Sequence, residues 1–315
     1  MFASLNREQA AVAFALLAVL FWSTVATAFK FALAGLTPRW MLLIAVFTSW
    51  VLLTLLLLYR GRLRQAASVL RRHWLSSLRY ALINPVCYYL ILFQAYDLLP
   101  AQQAQSINYT WAITMSLLAV PLLGHSLSLR DMAALLLAYS GVLVIATRGD
   151  ILALAFDSVS GVLLALLSTL LWALYWILNT RDSQRHQGSD STVAMWGGFT
   201  LATPVLLGIA LATDPWPSWH LAQVQQGLLA AIYIGVFEMG ITFLLWQQAM
   251  NLTRRTAAIS SLIFLSPFLS LIFISQLLGE AIAPATVVGL LFIIAGLGLQ
   301  KLPLRGDRKK VTEPD

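Results

Sequence analysis

Charge is scarce in this chain. Of its 315 residues only 10% are Asp, Glu, Lys or Arg, whereas 59% are hydrophobic. That leaves too little polar side chain to clothe a soluble globule of this length, so the composition is that of a membrane protein. Cysteine is scarcer still. A single thiol, Cys87, falls inside an apolar stretch, where it reads as a small packing residue; no disulfide framework can form and compartment cannot be read from it. Histidine is limited to His73, His125, His186 and His220, scattered between apolar stretches or at their ends, so no metal site is expected. Walker loops, nucleophile elbows and zincin patterns are missing as well. Their absence argues against an ATP-driven pump acting from this chain alone, against a membrane enzyme acting on lipid, and against any bound cofactor.

What the chain does have is apolar helix. Ten spans are predicted at about 9–30, 39–59, 74–95, 101–123, 131–147, 160–179, 192–212, 224–248, 256–278 and 285–302. Few carry an internal charge, and their length indicates helices rather than barrel strands. Arg7 followed by an apolar run and Ala26-Thr27-Ala28 imitates a signal peptide, but the run is longer than a signal core and is echoed later in the chain. It is read as an uncleaved first span. Residues 303–315 are charged and read as a disordered tail.

The net charge of +7 is carried by loops between spans, a distribution that suits membrane topology and anionic lipid rather than nucleic acid. With the N-terminus inside, only Lys30, Arg39 and Arg148 of the 20 basic residues fall outside. This bias predicts a multi-pass protein of the bacterial inner membrane with both termini cytoplasmic.

Two halves echo one another. Ala15 to Trp22 aligns with Ala165 to Trp172, Leu122-Leu123-Gly124 with Leu277-Leu278-Gly279, and Ser140-Gly141 with Ala295-Gly296. Five spans per copy is odd, so the second copy, 160–302, would enter the membrane inverted relative to the first, 9–147. The expected fold is therefore all-α, with two inverted five-helix repeats around a central cavity.

Polar and aromatic residues at mid-span mark that cavity. In the fourth span Gln105, Asn108, Tyr109 and Ala112 share one helical face with Trp111 beside it, and amide and phenol groups at that depth are costly unless they face inward. In the sixth, Ser168, Trp172, Tyr175, Trp176 and Asn179 form one continuous stripe; Trp22 and Ser23 stand in the corresponding first span. The third offers Asn84, Pro85, Tyr88, Tyr89 and Gln94, with a proline that frees a backbone carbonyl. Trp22, Trp111 and Trp172 lie near mid-depth rather than at the interface, where tryptophans usually anchor. Trp40, Trp50, Trp74, Trp216 and Trp219 read as such anchors or as packing residues. An aromatic box of this kind suits a flat ring or an organic cation.

Glu238 is the only acid deep in a span, in a stripe with Thr242 and Trp246, and is a candidate ligand for an ammonium group or a proton-coupling site. Lys30, near a span end, is expected to snorkel. The ninth span, with Ser260, Ser261, Ser266, Pro267 and Ser270, suits a kinked wall. Gly141, Gly289, Gly296 and Gly298 are expected to allow close helix packing, and Glu280 to cap the helix that follows it.

The inverted five-span halves, a Trp in the first helix of each and the Gly279-Glu280 that closes the ninth span resemble the drug/metabolite transporter superfamily and its EamA-type exporters. Asn108-Tyr109-Thr110-Trp111, Trp172 with Tyr175, and Ser266-Pro267 are similar to the bacterial aromatic amino acid exporters called YddG. One departure is Ala112, where the related exporters have a proline that kinks the fourth helix. The resemblance covers nearly all of residues 10–302. It implies a basket of spans 1, 3, 4, 6, 8 and 9 around the cavity, with spans 5 and 10 helping to hold the halves together. It further implies export of Trp, Phe or Tyr by alternating access, as a facilitator or coupled to protons, by a chain that requires no oligomer. On this reading Trp22, Tyr109, Trp111 and Trp172 face the substrate ring, and Asn108, Tyr88, Tyr175 and Glu238 serve its ammonium and carboxylate. The alternative is efflux of aromatic or quaternary cations.

Overall fold

The computed structural model describes residues 6–124, 128–152, 157–185, 191–253, 259 and 262–301. The tail, Ser260, Ser261 and the side chain of Asn179 lie outside the described residues. Every regular element among the described residues is helical. In order they are α1 (Arg7–Leu33), α2 (Pro38–Tyr59), α3 (Leu63–Arg72), α4 (Trp74–Ala81), a π-helical segment Leu82–Cys87, α5 (Tyr88–Leu98), α6 (Ala101–Asn108), α7 (Trp111–Leu123) and α8 (Leu129–Ala146). Then follow α9 (Val159–Arg185), α10 (Ser191–Thr213), α11 (Ala222–Tyr233), a π-helical segment Ile234–Ile241 and α12 (Thr242–Leu252). The last are a short 3-10 turn Leu262–Leu265, α13 (Ser266–Phe273), a π-helical segment Ile274–Leu278 and α14 (Pro284–Lys301).

Local chemistry sets the ends of these helices. Asn6 and Gln9 cap α1 reciprocally, Gln9 N–H donating to Asn6 Oδ1 at 2.9 Å and Asn6 N–H to Gln9 Oε1 at 3.0 Å. Ser128 and Asp131 do the same for α8. The two Leu-Leu-Gly runs end in the same way, with Gly124 at φ 70° and Gly279 at φ 68°, a left-handed conformation that a side chain would strain.

Among the described residues, 6 helices are by length and composition able to cross a membrane: Arg7–Leu33, Pro38–Tyr59, Leu129–Ala146, Val159–Leu178, Thr192–Thr213 and Ala222–Leu252. Leu262–Leu278 and Pro284–Leu299 are shorter apolar helices. The third and fourth expected spans are broken. In the third, Asn84 is extended at φ −146° and ψ 117° because the following Pro85 crowds it out of the helical region. The fourth corrects the expectation of one continuous helix, since α6 stops at Asn108 and α7 starts at Trp111 although no proline stands between them. The backbone tightens there into a 3-10-like turn, in which Thr110 N–H donates to the Ile107 carbonyl at 3.0 Å and its hydroxyl to the same oxygen at 2.8 Å.

Three other expectations need correction. The basic stretch after the second span is not all loop; Leu63–Arg72 is helical, with Leu63, Ala67 and Leu70 packed on the core and Arg64, Arg71 and Arg72 exposed. Cys87 is exposed rather than packed. Lys30 does not snorkel away: it is only partly exposed, and its ammonium donates to the Tyr96 carbonyl at 2.6 Å.

α14 lies along α8. A Cβ on Gly141 would stand 2.4 Å from the Gly289 carbonyl oxygen, one on Gly289 2.5 Å from that of Gly141, and one on Gly296 2.7 Å from that of Ala134. Backbones this close require small residues at the contact. By contrast, Gly298 faces open space. α10 packs on α2 through crossed bonds, Trp50 Nε1 donating to Thr200 at 3.0 Å and Trp196 Nε1 to Thr54 at 2.9 Å. α1 packs against α11, α12 and α13, and α9 against α5, α6 and α7, which leaves the aromatic faces of these helices turned toward one another.

Candidate functional site

Trp172, partly buried on α9, stands at the centre of a ring cluster. Its indole meets Tyr88 at a centroid distance of 4.6 Å, Tyr175 at 6.0 Å in a stacked arrangement, and Trp176 at 6.0 Å. Phe243 lies 6.3 Å away and Trp111 6.4 Å. Phe243 in turn meets Trp22 edge-on at 5.7 Å, and Trp22 lies 5.4 Å from Trp246. One continuous cluster therefore joins α1, α5, α7, α9 and α12. Edge and offset contacts of this kind contribute about 0.5–1.5 kcal/mol per pair beyond burial.

Polar groups stand on one flank. Tyr89 OH donates to Glu238 Oε1 at 2.9 Å, and the Tyr89 ring meets that of Tyr88 at 4.6 Å, so two tyrosine rings link the carboxylate to Trp172. The other carboxylate oxygen, Oε2, is buried and has no hydrogen-bond partner. Asn108 Nδ2 donates to Ser168 Oγ at 3.0 Å and is also within reach of Tyr88. Tyr109, in the break between α6 and α7, is within hydrogen-bonding reach of Ser266 and Gln105. Ser23 Oγ donates to Ser266 Oγ at 3.2 Å and Ser270 Oγ to Gln105 Oε1 at 2.5 Å, tying α1, α6 and α13 together beneath the rings.

Of the residues singled out from sequence, Trp22, Tyr88, Trp111, Trp172 and Tyr175 thus share the ring cluster. Asn108 and Glu238 reach it through Tyr88 and Tyr89. Tyr109 belongs to the serine and glutamine chain beside it. The helical stripe drawn through Glu238, Thr242 and Trp246 needs revision. Ile234–Ile241 is π-helical, and the Thr242 hydroxyl turns back on the Phe237 carbonyl five residues earlier. Each π turn holds about one residue more than an α turn, so the face that carries Glu238 continues at Phe243 rather than at Thr242. Phe243 was not legible as a site residue because α-helical spacing places it off the stripe. Tyr89 was legible as a polar mid-span residue, but its partner was not.

Glu280 also acts differently from expectation. It does not cap α14; it accepts from Ala101 N–H at 3.1 Å, at the start of α6. Gln102 fills the complementary role, donating to the Ala281 carbonyl at 3.0 Å while its Oε1 accepts from Ala283 N–H at 3.0 Å and Thr286 Oγ1 at 2.8 Å. The loop before α14 and the first turn of α6 are therefore interlocked. Among the described residues no group of three His, Cys, Asp or Glu is arranged to hold a metal ion.

An aromatic cluster with one flanking carboxylate can hold a flat, partly apolar molecule bearing a hydrogen-bond donor. Comparison with known proteins agrees with a transport role. An aromatic amino acid exporter, YddG, of Ancylobacter novellus is 26% identical over 245 residues, covering 74% of this chain and 77% of the relative. An uncharacterized transporter, YvbV, of Bacillus subtilis is 26% identical over 230 residues, 73% and 72% of the two chains. An uncharacterized transporter of Archaeoglobus fulgidus is 23% identical over 292 residues, 90% and 94%. A solved crystal structure superposes with a TM-score of 0.63 at 23% identity, covering 96% of this chain and 99% of the other, a likeness of fold. Residues 9–147 and 159–300 each match the EamA-like transporter family, and the chain, a multi-pass membrane transporter, belongs to that family.

Proposed function

We propose that this transporter exports neutral aromatic amino acids by alternating access, as a facilitator or coupled to protons. The observation that carries the reading is the ring cluster around Trp172, which gathers aromatic side chains from five helices and is joined to a carboxylate through Tyr88 and Tyr89. Trp22, Tyr109, Trp111 and Trp172 hold the substrate ring, while Asn108, Tyr88, Tyr175 and Glu238 serve its amino and carboxyl groups. The reading also takes 9–147 and 160–302 as inverted five-helix repeats that rock about this cluster, with both termini in the cytoplasm of a bacterial cell and no oligomer required. The exporter name of the Ancylobacter novellus relative supports the substrate class.

One observation favours a second reading, efflux of aromatic or quaternary cations. Glu238 joins a carboxylate, through Tyr89 and Tyr88, to a cluster of indole rings, and an acid together with aromatic faces is a combination that holds an organic cation. Flux of radiolabelled tryptophan from preloaded proteoliposomes, with and without a proton gradient, against alanine and a quaternary aromatic cation, separates the two. Selective tryptophan flux supports the amino acid reading, and acceleration by the gradient assigns coupling to Glu238. Flux of the cation alone replaces the first reading with the second.

A further inference from the structure

We infer that this site offers a charged partner to the amino group of its substrate and only neutral donors to the carboxyl group, so that primary arylalkylamines are transported as well as aromatic amino acids. The inference rests on the reading of the ring cluster as the substrate site. Glu238 carries it. Oε1 accepts from Tyr89 OH at 2.9 Å, and Oε2 is buried and has no donor. A buried carboxylate oxygen without a donor is costly, and a primary ammonium supplies an N–H to it in a charge-assisted bond. A quaternary ammonium has no N–H to offer. It can lie over the rings, but it leaves Oε2 as it was.

Among the residues whose side chains are described, the carboxyl group of an amino acid has no matching counter-charge. The cations among them are held elsewhere: Lys30 by the Tyr96 carbonyl, with Glu280 and Asp97 facing it, Arg39 by Asp214, Arg148 by Asp157, and Arg62 beside Gln65. Arg7 and Arg130 stand in the first turns of α1 and α8, and Arg60, Arg64, Arg71, Arg72 and Arg79 are exposed between α2 and the kink before α5. The side chains of Arg181, Arg185, Arg254, Arg255 and Lys301 lie outside those described. Among the described side chains, then, the ring cluster has a fixed acid and no fixed base. A carboxylate entering it meets only neutral donors such as Asn108 and the phenols, and it lies in the same compartment as Glu238. Removing the carboxyl group from the substrate therefore removes a repulsion without removing an ion pair.

The test uses the full-length wild-type protein in proteoliposomes and four indoles: tryptophan, tryptamine, indole-3-propionate and N,N,N-trimethyltryptammonium. Each is tested as a competitor of radiolabelled tryptophan exchange, and tryptamine flux is followed directly. Tryptamine is expected to compete at a concentration about tenfold or more below that of indole-3-propionate, from the strength of a charge-assisted bond. The trimethylated ion is expected to compete more weakly than tryptamine. In Glu238→Gln the advantage of tryptamine over indole-3-propionate should shrink to less than about threefold, whatever the absolute flux. Tryptophan exchange that tryptamine does not inhibit would overturn this inference and leave the amino acid reading standing. Tryptamine flux without tryptophan flux would do the reverse, and flux of neither would overturn both. Equal competition by tryptamine and its trimethylated form would show that the rings alone recognise the cation, which also overturns the inference.

Discussion

Alanine in place of Gly141 should loosen the pair formed by α8 and α14, and the structure gives the size of the effect. The new Cβ would stand 2.4 Å from the Gly289 carbonyl oxygen and 2.9 Å from the Phe292 Cβ. Neither neighbour can swing aside, since one is backbone and the other sits at the root of its side chain. The two helices must separate, and overpacking of this kind costs about 1–3 kcal/mol. Alanine also gains roughly 1 kcal/mol of helix propensity over glycine, which would mask part of the cost. Gly298→Ala on the partner helix α14 provides the control, because a Cβ there meets nothing within 4 Å and the propensity gain appears alone. The difference between the two variants is then the packing term, on the order of 2–12 °C in melting midpoint if about 2–4 °C corresponds to each kcal/mol. The assay is circular dichroism melting of both purified variants in one detergent. Equal midpoints, or a lower midpoint for Gly298→Ala, would refute the claim that the α8 and α14 backbones touch at Gly141.

Three further outcomes are expected. Trp172→Ala should lower tryptophan flux by tenfold or more while membrane insertion, read by fractionation, is unchanged, since about two ring contacts at 0.5–1.5 kcal/mol each are enough for that loss; unchanged flux removes the residue from the site. Gln102→Ala should lower stability by about 1–3 kcal/mol, because it strands the Ala283 N–H and the Thr286 hydroxyl that Gln102 Oε1 accepts from; chemical denaturation in micelles measures it. At the partly buried pair of Arg39 and Asp214, with side chains 39% and 4% exposed, Asp214→Ala should destabilise by about 1–3 kcal/mol and Arg39→Ala by less than about 1. Asp214 also accepts from the Thr37 hydroxyl, which keeps it satisfied once the arginine is gone. Equal losses at the two positions would refute that asymmetry.

How much of the site could be read in advance depended on the period assumed for each helix. α9 is regular, so the spacing of Ser168, Trp172, Tyr175 and Trp176 was enough to put them on one face, and their rings do meet. α12 follows a π-helical segment, and there the same arithmetic named Thr242 where the fold presents Phe243. The break at Tyr109 and Thr110 was hidden for a related reason. Proline is a visible helix breaker, whereas a backbone that tightens so that Thr110 N–H bonds the Ile107 carbonyl carries no proline or glycine to mark it. Glu280 was expected to act on the nearest helix along the chain, yet its partner, Ala101, is distant in sequence and adjacent only in space.

Sequence alone set the solvent, the helical class and the chemical stock of this protein. Apolar runs of bilayer length admit only helices, because a backbone in lipid must satisfy its own hydrogen bonds. Mid-span tryptophans, tyrosines and one acid could not face lipid cheaply. Tertiary structure alone decided which of these groups meet. Ring contacts, the Tyr89 bond to Glu238 and the contact between Gly141 and Gly289 each join segments far apart in the chain. Their partners follow from how whole helices pack, and no local period encodes that.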